Sequence, residues 1–106
     1  MTLYSFKNKQ PKIHSSVFIA PTAQIIGDVH IGEKSSVWFQ AVIRSDLDRI
    51  IIGERNSIQD LCVCLAGLKT YANRDELETS IRGMSESYIQ STLDFRSNEI
   101  FYAIEN

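Results

Sequence analysis

Isoleucine or valine recurs every six residues through the first half of the chain, at Ile13, Ile19, Ile25, Ile31, Val37 and Ile43. After a slip of three residues the series resumes at Ile52, Ile58 and Cys64. The fifth residue of each hexad is small or medium, as in Val17, Ala23, Val29, Ser35 and Ala41. On a strand it shares a face with the large residue two positions later. Large and small side chains alternating inward suit a narrow bore. The polar positions between them, such as His14, Ser15, Gln24, Asp28, Glu33, Lys34 and Gln40, fall on the outer face and the corners. A fixed short period marks a repeat architecture, and a six-residue period predicts a parallel β-helix.

Three hexads, about 18 residues, close one triangular coil. Coil one then runs from Ile13 to His30 and coil two from Ile31 to about Ile51. Coil three starts at Ile52 and fades after Ala66. The three extra residues of coil two lie within Asp46–Ile51 and read as a loop bulging from a corner. A small antiparallel sheet is the alternative, but the dipeptides that favour tight hairpins are absent.

A different texture begins at Gly67. Asn73 with Glu76 three residues later resembles a capping box. Leu77, Ile81, Met84, Tyr88, Leu93 and Phe95 form one apolar stripe, which predicts a helix over 73–96. Gly83 weakens its middle by up to about 1 kcal/mol relative to alanine. The tail, 97–106, contains the β-prone run Ile100–Ile104. It is expected either to pair with the open third coil or to fray. The whole of 1–106 reads as one domain, mainly β, with about three coils of β-helix over 13–66 and a C-terminal α-helix.

Composition narrows the partners. The chain has 106 residues, a formal charge of −2 and a 23 % charged share. Its isoelectric point is near 5.6. Nothing in that balance attracts nucleic acid or an anionic membrane. Lys7, Lys9 and Lys12 are not followed by the apolar run of a secretory signal, so a cytoplasmic location is expected. The two cysteines, Cys62 and Cys64, would sit about 6.6 Å apart (Cα to Cα) on one strand with parallel Cβ vectors, which is poor geometry for a bridge. They read as free thiols filling the bore, since buried cysteine behaves as a small hydrophobe. Two thiols can hold a soft metal in principle, yet they fall short of a zinc site.

The stretch GDVHIGEKSSVWFQAVIRSD, Gly27–Asp46, followed by IIIGERNSIQD, Ile50–Asp60, resembles the gamma-class carbonic anhydrase family. The match covers about Pro11 to Cys64, and the ordered R-S-D and I-Q-D pair makes it specific. The resemblance implies a left-handed parallel β-helix, where physics alone favours right-handed crossovers. It also implies a trimer with a zinc or iron ion held by three histidines between subunits, generating hydroxide for attack on carbon dioxide.

The resemblance places the first of those histidines five residues after the Asp of I-Q-D, where this chain has Leu65. The other two would come from a G-H-x-x-x-x-H segment one coil later, which this sequence does not contain. His14 and His30, the only histidines, match neither position and read as surface residues. Arg44, Asp46, Gln59 and Asp60 match residues that line the family's subunit interface near the metal. Arg44 and Asp46 are read as an ion pair holding subunits together, because guanidinium–carboxylate contact is directional. Arg44 and Leu65 point outward on one face, one coil apart, and Leu65 beside Ile26 would make a dry patch for a partner.

The expectation is therefore a shortened, non-catalytic relative that works by oligomerisation, as a trimer, or by binding a partner, with no zinc or other cofactor. One alternative is binding of a small anion or metabolite in a crevice near Arg44, whose guanidinium suits a carboxylate. The other is residual carbonic anhydrase or acyltransferase chemistry, the latter needing a catalytic histidine for which His30 is the candidate, although the chain is short for an acyl-CoA groove.

Overall fold

The computed structural model describes residues 1–65 and 92–104. Three stacks of aliphatic side chains run along the solenoid, one on each inner face. The first joins β2 (Lys12–Ile13), the end of β4 (Gln24–Ile31) and the end of β6 (Val42–Ile52), aligning Ile13, Ile31 and Ile52. The second joins β3 (Phe18–Ile19), β5 (Ser36–Val37) and β7 (Ser57–Ile58), aligning Ile19, Val37 and Ile58. The third joins β1 (Thr2–Phe6), the start of β4, the start of β6 and β8 (Val63–Leu65), aligning Leu3, Ile25, Ile43 and Cys64. All these pairings are parallel, so the chain is a parallel β-helix of about three turns. Like residues stack because each coil repeats the hexad register of the one before.

The core follows from that register. Ala23, Ile25, Val29, Ile31, Val37, Ala41 and Ile43 form one buried cluster, with Leu3, Ile13, Val17, Ile19, Ile50, Ile52, Ile58 and Cys64 packed around it. Seven inward aliphatics in a bore of small section make an unpartnered polar group costly. Ser35, buried at a fifth position, meets this demand at a corner: its hydroxyl donates to the Gly53 carbonyl at 2.8 Å and accepts from the Asn56 amide at 3.1 Å.

The three-residue slip is a bulge in the β4–β6 ladder. Gly27 pairs with Ser45 and Val29 with Ile50, so Asp28 alone faces Asp46–Arg49. The surplus residues thus lie where expected, but as a bulge within the continuous strand β6 and not as a loop outside it.

Two features depart from the sequence-based expectations. The N-terminal Thr2–Phe6 adds a rung to the third stack, although Leu3 is out of phase with the hexads. A tight turn after Phe6 absorbs the mismatch: Phe6 and Lys9 exchange backbone hydrogen bonds of 2.9 Å, and Lys7 and Asn8 take positive φ of 49° and 60°. The tail, expected to pair with the third coil or to fray, pairs instead with the opposite end of the solenoid. Strand β9 (Phe101–Ala103) runs antiparallel to β1, with Tyr4 opposite Ala103 and Phe6 opposite Phe101. Its anchor is aromatic: Tyr4 stacks on Phe101 at 4.6 Å, Phe6 on Phe95 at 4.7 Å, and Phe95 meets Phe101 edge-on at 4.8 Å. Such aromatic pairs add to the stabilisation from their area of burial. Residues 92–96 are helical, and the rest of the helix expected over 73–96 lies outside the described residues.

Candidate functional site

The outer side of the third stack carries the residues singled out from the sequence. Strand alternation puts Tyr4, Ile26, Arg44 and Leu65 outward in one ladder, each the register partner of the next. Ile26 is not part of an exposed dry patch. Set between Tyr4 and Arg44, it is only 6 % exposed. Leu65 is 51 % exposed.

Arg44 and Asp46 are two residues apart and on one side of β6, which brings their side chains together. Arg44 Nε lies 3.5 Å from Asp46 Oδ2, with the aspartate side chain 4 % exposed. The pair is an electrostatic contact and not an aligned hydrogen bond, since the buried Nε has no hydrogen-bond partner. Gln59 and Asp60 sit on the exposed corner that leads from β7 into β8. The Gln59 side chain donates to the Ser57 hydroxyl, and the Gln59 backbone carbonyl accepts from the Cys62 backbone amide at 3.2 Å. The structure therefore groups Arg44, Asp46 and Leu65, and places Gln59 and Asp60 on the approach to Leu65.

A second polar cluster, which the hexad pattern does not reveal, sits at the bulge. Asp28 Oδ2 accepts from Arg49 Nε at 3.0 Å, and Asp28 Oδ1 lies 3.0 Å from His30 Nε2. The Arg49 hydrogen bond is the main cause holding the Asp28 carboxyl below its ordinary pKa, against the opposing effect of burial. A cavity of about 530 Å³ opens between this bulge and the N-terminal turn, bounded by Phe6, Lys7, Lys9, Asp28, Asp46 and Arg49. Gly27 permits this close layering. Its φ is +82°, and a Cβ there would lie 2.5 Å from the Ser45 carbonyl oxygen. The sequence signal for the cluster was available in the three-residue slip, which had to place Arg49 near the corner of the coil below.

The donor set does not fit the metal that the resemblance implies. Leu65 offers no donor atom where the first histidine would lie. His14 and His30 belong to a different stretch of the coil: His14 Nδ1 is 2.8 Å from the Ser16 hydroxyl, and His30 is engaged by Asp28. Among the described residues, no three or more His, Cys, Asp or Glu side chains converge as a group able to hold a metal ion.

Comparison with known proteins agrees with this architecture. Residues 10–45 match the bacterial transferase hexapeptide (six repeats) family. The uncharacterized transferase YtoA of Bacillus subtilis is 47 % identical over 75 residues, covering 70 % of this chain and 44 % of that protein. A carbonic anhydrase of Geobacillus kaustophilus is 50 % identical over 58 residues, covering 55 % of this chain and 32 % of that protein. A crystal structure from Bacillus cereus superposes with a TM-score of 0.57 at 52 % identity, covering 57 % of this chain and 36 % of that one. The chain is a hexapeptide-repeat β-helix protein. More narrowly, it is a chain of 106 residues with gamma carbonic anhydrase-like homologues, and it spans less than half the length of these relatives. Among the described residues, no helix is long and apolar enough to cross a membrane.

Proposed function

We propose that this chain is a non-catalytic, gamma carbonic anhydrase-like protein that acts through assembly with further copies of itself, with a trimer as the favoured state. The observation that carries this reading is the pairing of Leu65 with Arg44. A half-exposed isobutyl group occupies the ladder position where the resemblance implies a metal ligand, while the adjoining Arg44–Asp46 ion pair is kept. Leu61, Val63 and Leu65 are all exposed on or beside β8, and an apolar patch of that kind is stabilised by cover. Arg44 then contributes orientation between subunits, since guanidinium donors are directional.

Sedimentation at micromolar concentration, together with metal analysis of untagged protein, tests the proposal. The expected result is a discrete oligomer without stoichiometric zinc at neutral pH. A monomer with a cooperative melt overturns the assembly reading, and carbon dioxide hydration by the purified chain overturns the non-catalytic one.

A second reading has its own observation. The buried Arg44 Nε lacks a hydrogen-bond acceptor, and a small carboxylate or bicarbonate-like anion would supply one. Bicarbonate titration followed by nitrogen NMR of the arginine Nε groups tests it, with loss of the response in Arg44→Gln as the expected control.

A further inference from the structure

Cys62 and Cys64 have a geometry that core filling does not require. Both are free, and both are only partly buried, on the last described coil. Cys64 ends the aliphatic stack Leu3–Ile25–Ile43, and Cys62 immediately precedes β8, two residues before it. Their sulfur atoms face each other at 4.0 Å. That approach places both thiols on one side of an extended backbone, as expected of residues two apart.

That separation is short of nothing a metal needs. With metal–sulfur bonds of about 2.3 Å, a tetrahedral S–metal–S angle spans about 3.8 Å and a linear one about 4.6 Å. The observed 4.0 Å lies between these limits, and a small rotation about χ1 reaches either. A disulfide is a worse fit, because its Cβ atoms must approach to about 3.8 Å. Residues two apart on an extended strand hold their parallel Cβ atoms well beyond that. Soft thiolate ligands select soft cations. Zinc requires further donors, whereas a monovalent d10 ion is satisfied by two thiolates.

We propose that Cys62 and Cys64 form a two-coordinate site for a thiophilic monovalent cation of the Cu(I) class. Binding replaces two S–H bonds with two S–metal bonds and releases two protons to solvent, so the metal does not change oxidation state. The bound unit carries one net negative charge. The site is separate from the position of Leu65, whose side chain points to the other face of β8. It is also independent of the assembly reading, which would stand without it.

Titration of the reduced protein with Cu(I), buffered by a competing chelator under anaerobic conditions, tests the proposal. The expected result is one Cu(I) per chain, bound at least about a hundredfold more tightly than by Cys62→Ser or Cys64→Ser, because the second thiolate acts at high effective concentration. Affinity should rise about a hundredfold per pH unit below the thiol pKa values, as release of two protons requires. Circular dichroism of the serine variants establishes that they remain folded. Two ions per chain, equal affinity in a single-cysteine variant, or a one-proton pH slope would each overturn the proposal.

Discussion

Leu65 is the direct register partner of Arg44 in the parallel ladder between β6 and β8. The two side chains emerge on one face, a single coil apart, so anything that covers one meets the other. The arginine already has Asp46 at 3.5 Å, and the leucine brings only area. Replacing Leu65 by lysine sets two cations side by side at that point. The dissociation constant of the oligomer should rise by at least about tenfold, or about 1.4 kcal/mol. The stability of the individual chain should change by no more than about 0.5 kcal/mol, as for other exposed positions. Sedimentation and thermal melts of L65K separate these effects, and an unchanged sedimentation profile would count against assembly through this face.

Gly27 is the backbone hinge of the bulged corner. Its φ of +82° is unfavourable for any residue with a Cβ, and that Cβ would meet the Ser45 carbonyl oxygen at 2.5 Å. Strain and overlap together should make Gly27→Ala destabilising by about 2 kcal/mol or more. Gly53 is the internal control, because the nearest atom to its added Cβ is the Asn56 side-chain nitrogen at 3.6 Å. Gly53→Ala should cost less than about 1 kcal/mol. Urea denaturation midpoints of the two variants give the comparison, and equal losses would mean that the corner relaxes.

Gly27 also shows which parts of the fold could be read from the sequence. Wherever one coil repeats the last in phase, periodicity alone locates the residue: Ile13, Ile31 and Ile52 stack as their spacing requires. The interruption was legible too, since three surplus residues must leave the ladder somewhere between Ile43 and Ile52. Leu3 was not legible. Ten residues separate it from Ile13, and the turn at Lys7–Asn8 that restores register has none of the glycine that usually announces such a turn. The partner of β9 was equally hidden, because a short β-prone run does not specify which end of a solenoid it will close. The contacts that join the two ends are distant in sequence: the rings of Tyr4, Phe6, Phe95 and Phe101, and the Lys7–Asp94 ion pair at 3.3 Å. For the candidate site, the outward register of Arg44 and Leu65 followed from hexad position. The burial of Ile26 and the Asp28–Arg49 contact depended on neighbours from other coils.

Leu61 occupies a left-handed corner with φ of 62°, and its side chain is 71 % exposed. Its amide donates to the Phe39 carbonyl at 3.0 Å, an interaction any non-proline residue preserves. A leucine here bears the steric cost of the left-handed region, about 1–2 kcal/mol, with little burial to offset it. Asparagine tolerates this conformation. At protein concentrations low enough to dissociate the oligomer, Leu61→Asn should therefore stabilise the chain by about 0.5–1 kcal/mol, while removing apolar area from the assembly face. A raised denaturation midpoint with an unchanged denaturant slope is the expected signature. A loss of stability in the dissociated chain would show that the left-handed corner carries no strain for asparagine to relieve.

The Asp28 carboxylate should make stability fall on the acid side. Its pKa is lowered from the ordinary 3.8, first by the hydrogen bond from Arg49 and then by that residue's charge and by His30, with burial opposing. A carboxylate depressed on folding contributes stability in full above its unfolded pKa and loses it as pH falls through the folded value. Melting temperatures of the native chain should thus decline as pH drops below the ordinary carboxylate range. Asp28→Asn cannot titrate, and its acid limb should be shallower, with a lower melting temperature at neutral pH. Arg49→Ala removes the main cause of the shift, so carbon NMR should show the Asp28 carboxyl titrating closer to 3.8. Parallel acid limbs for the native chain and Asp28→Asn, with no movement of the carboxyl titration in Arg49→Ala, would mean that the corner cluster does not link β4 to the bulge in solution.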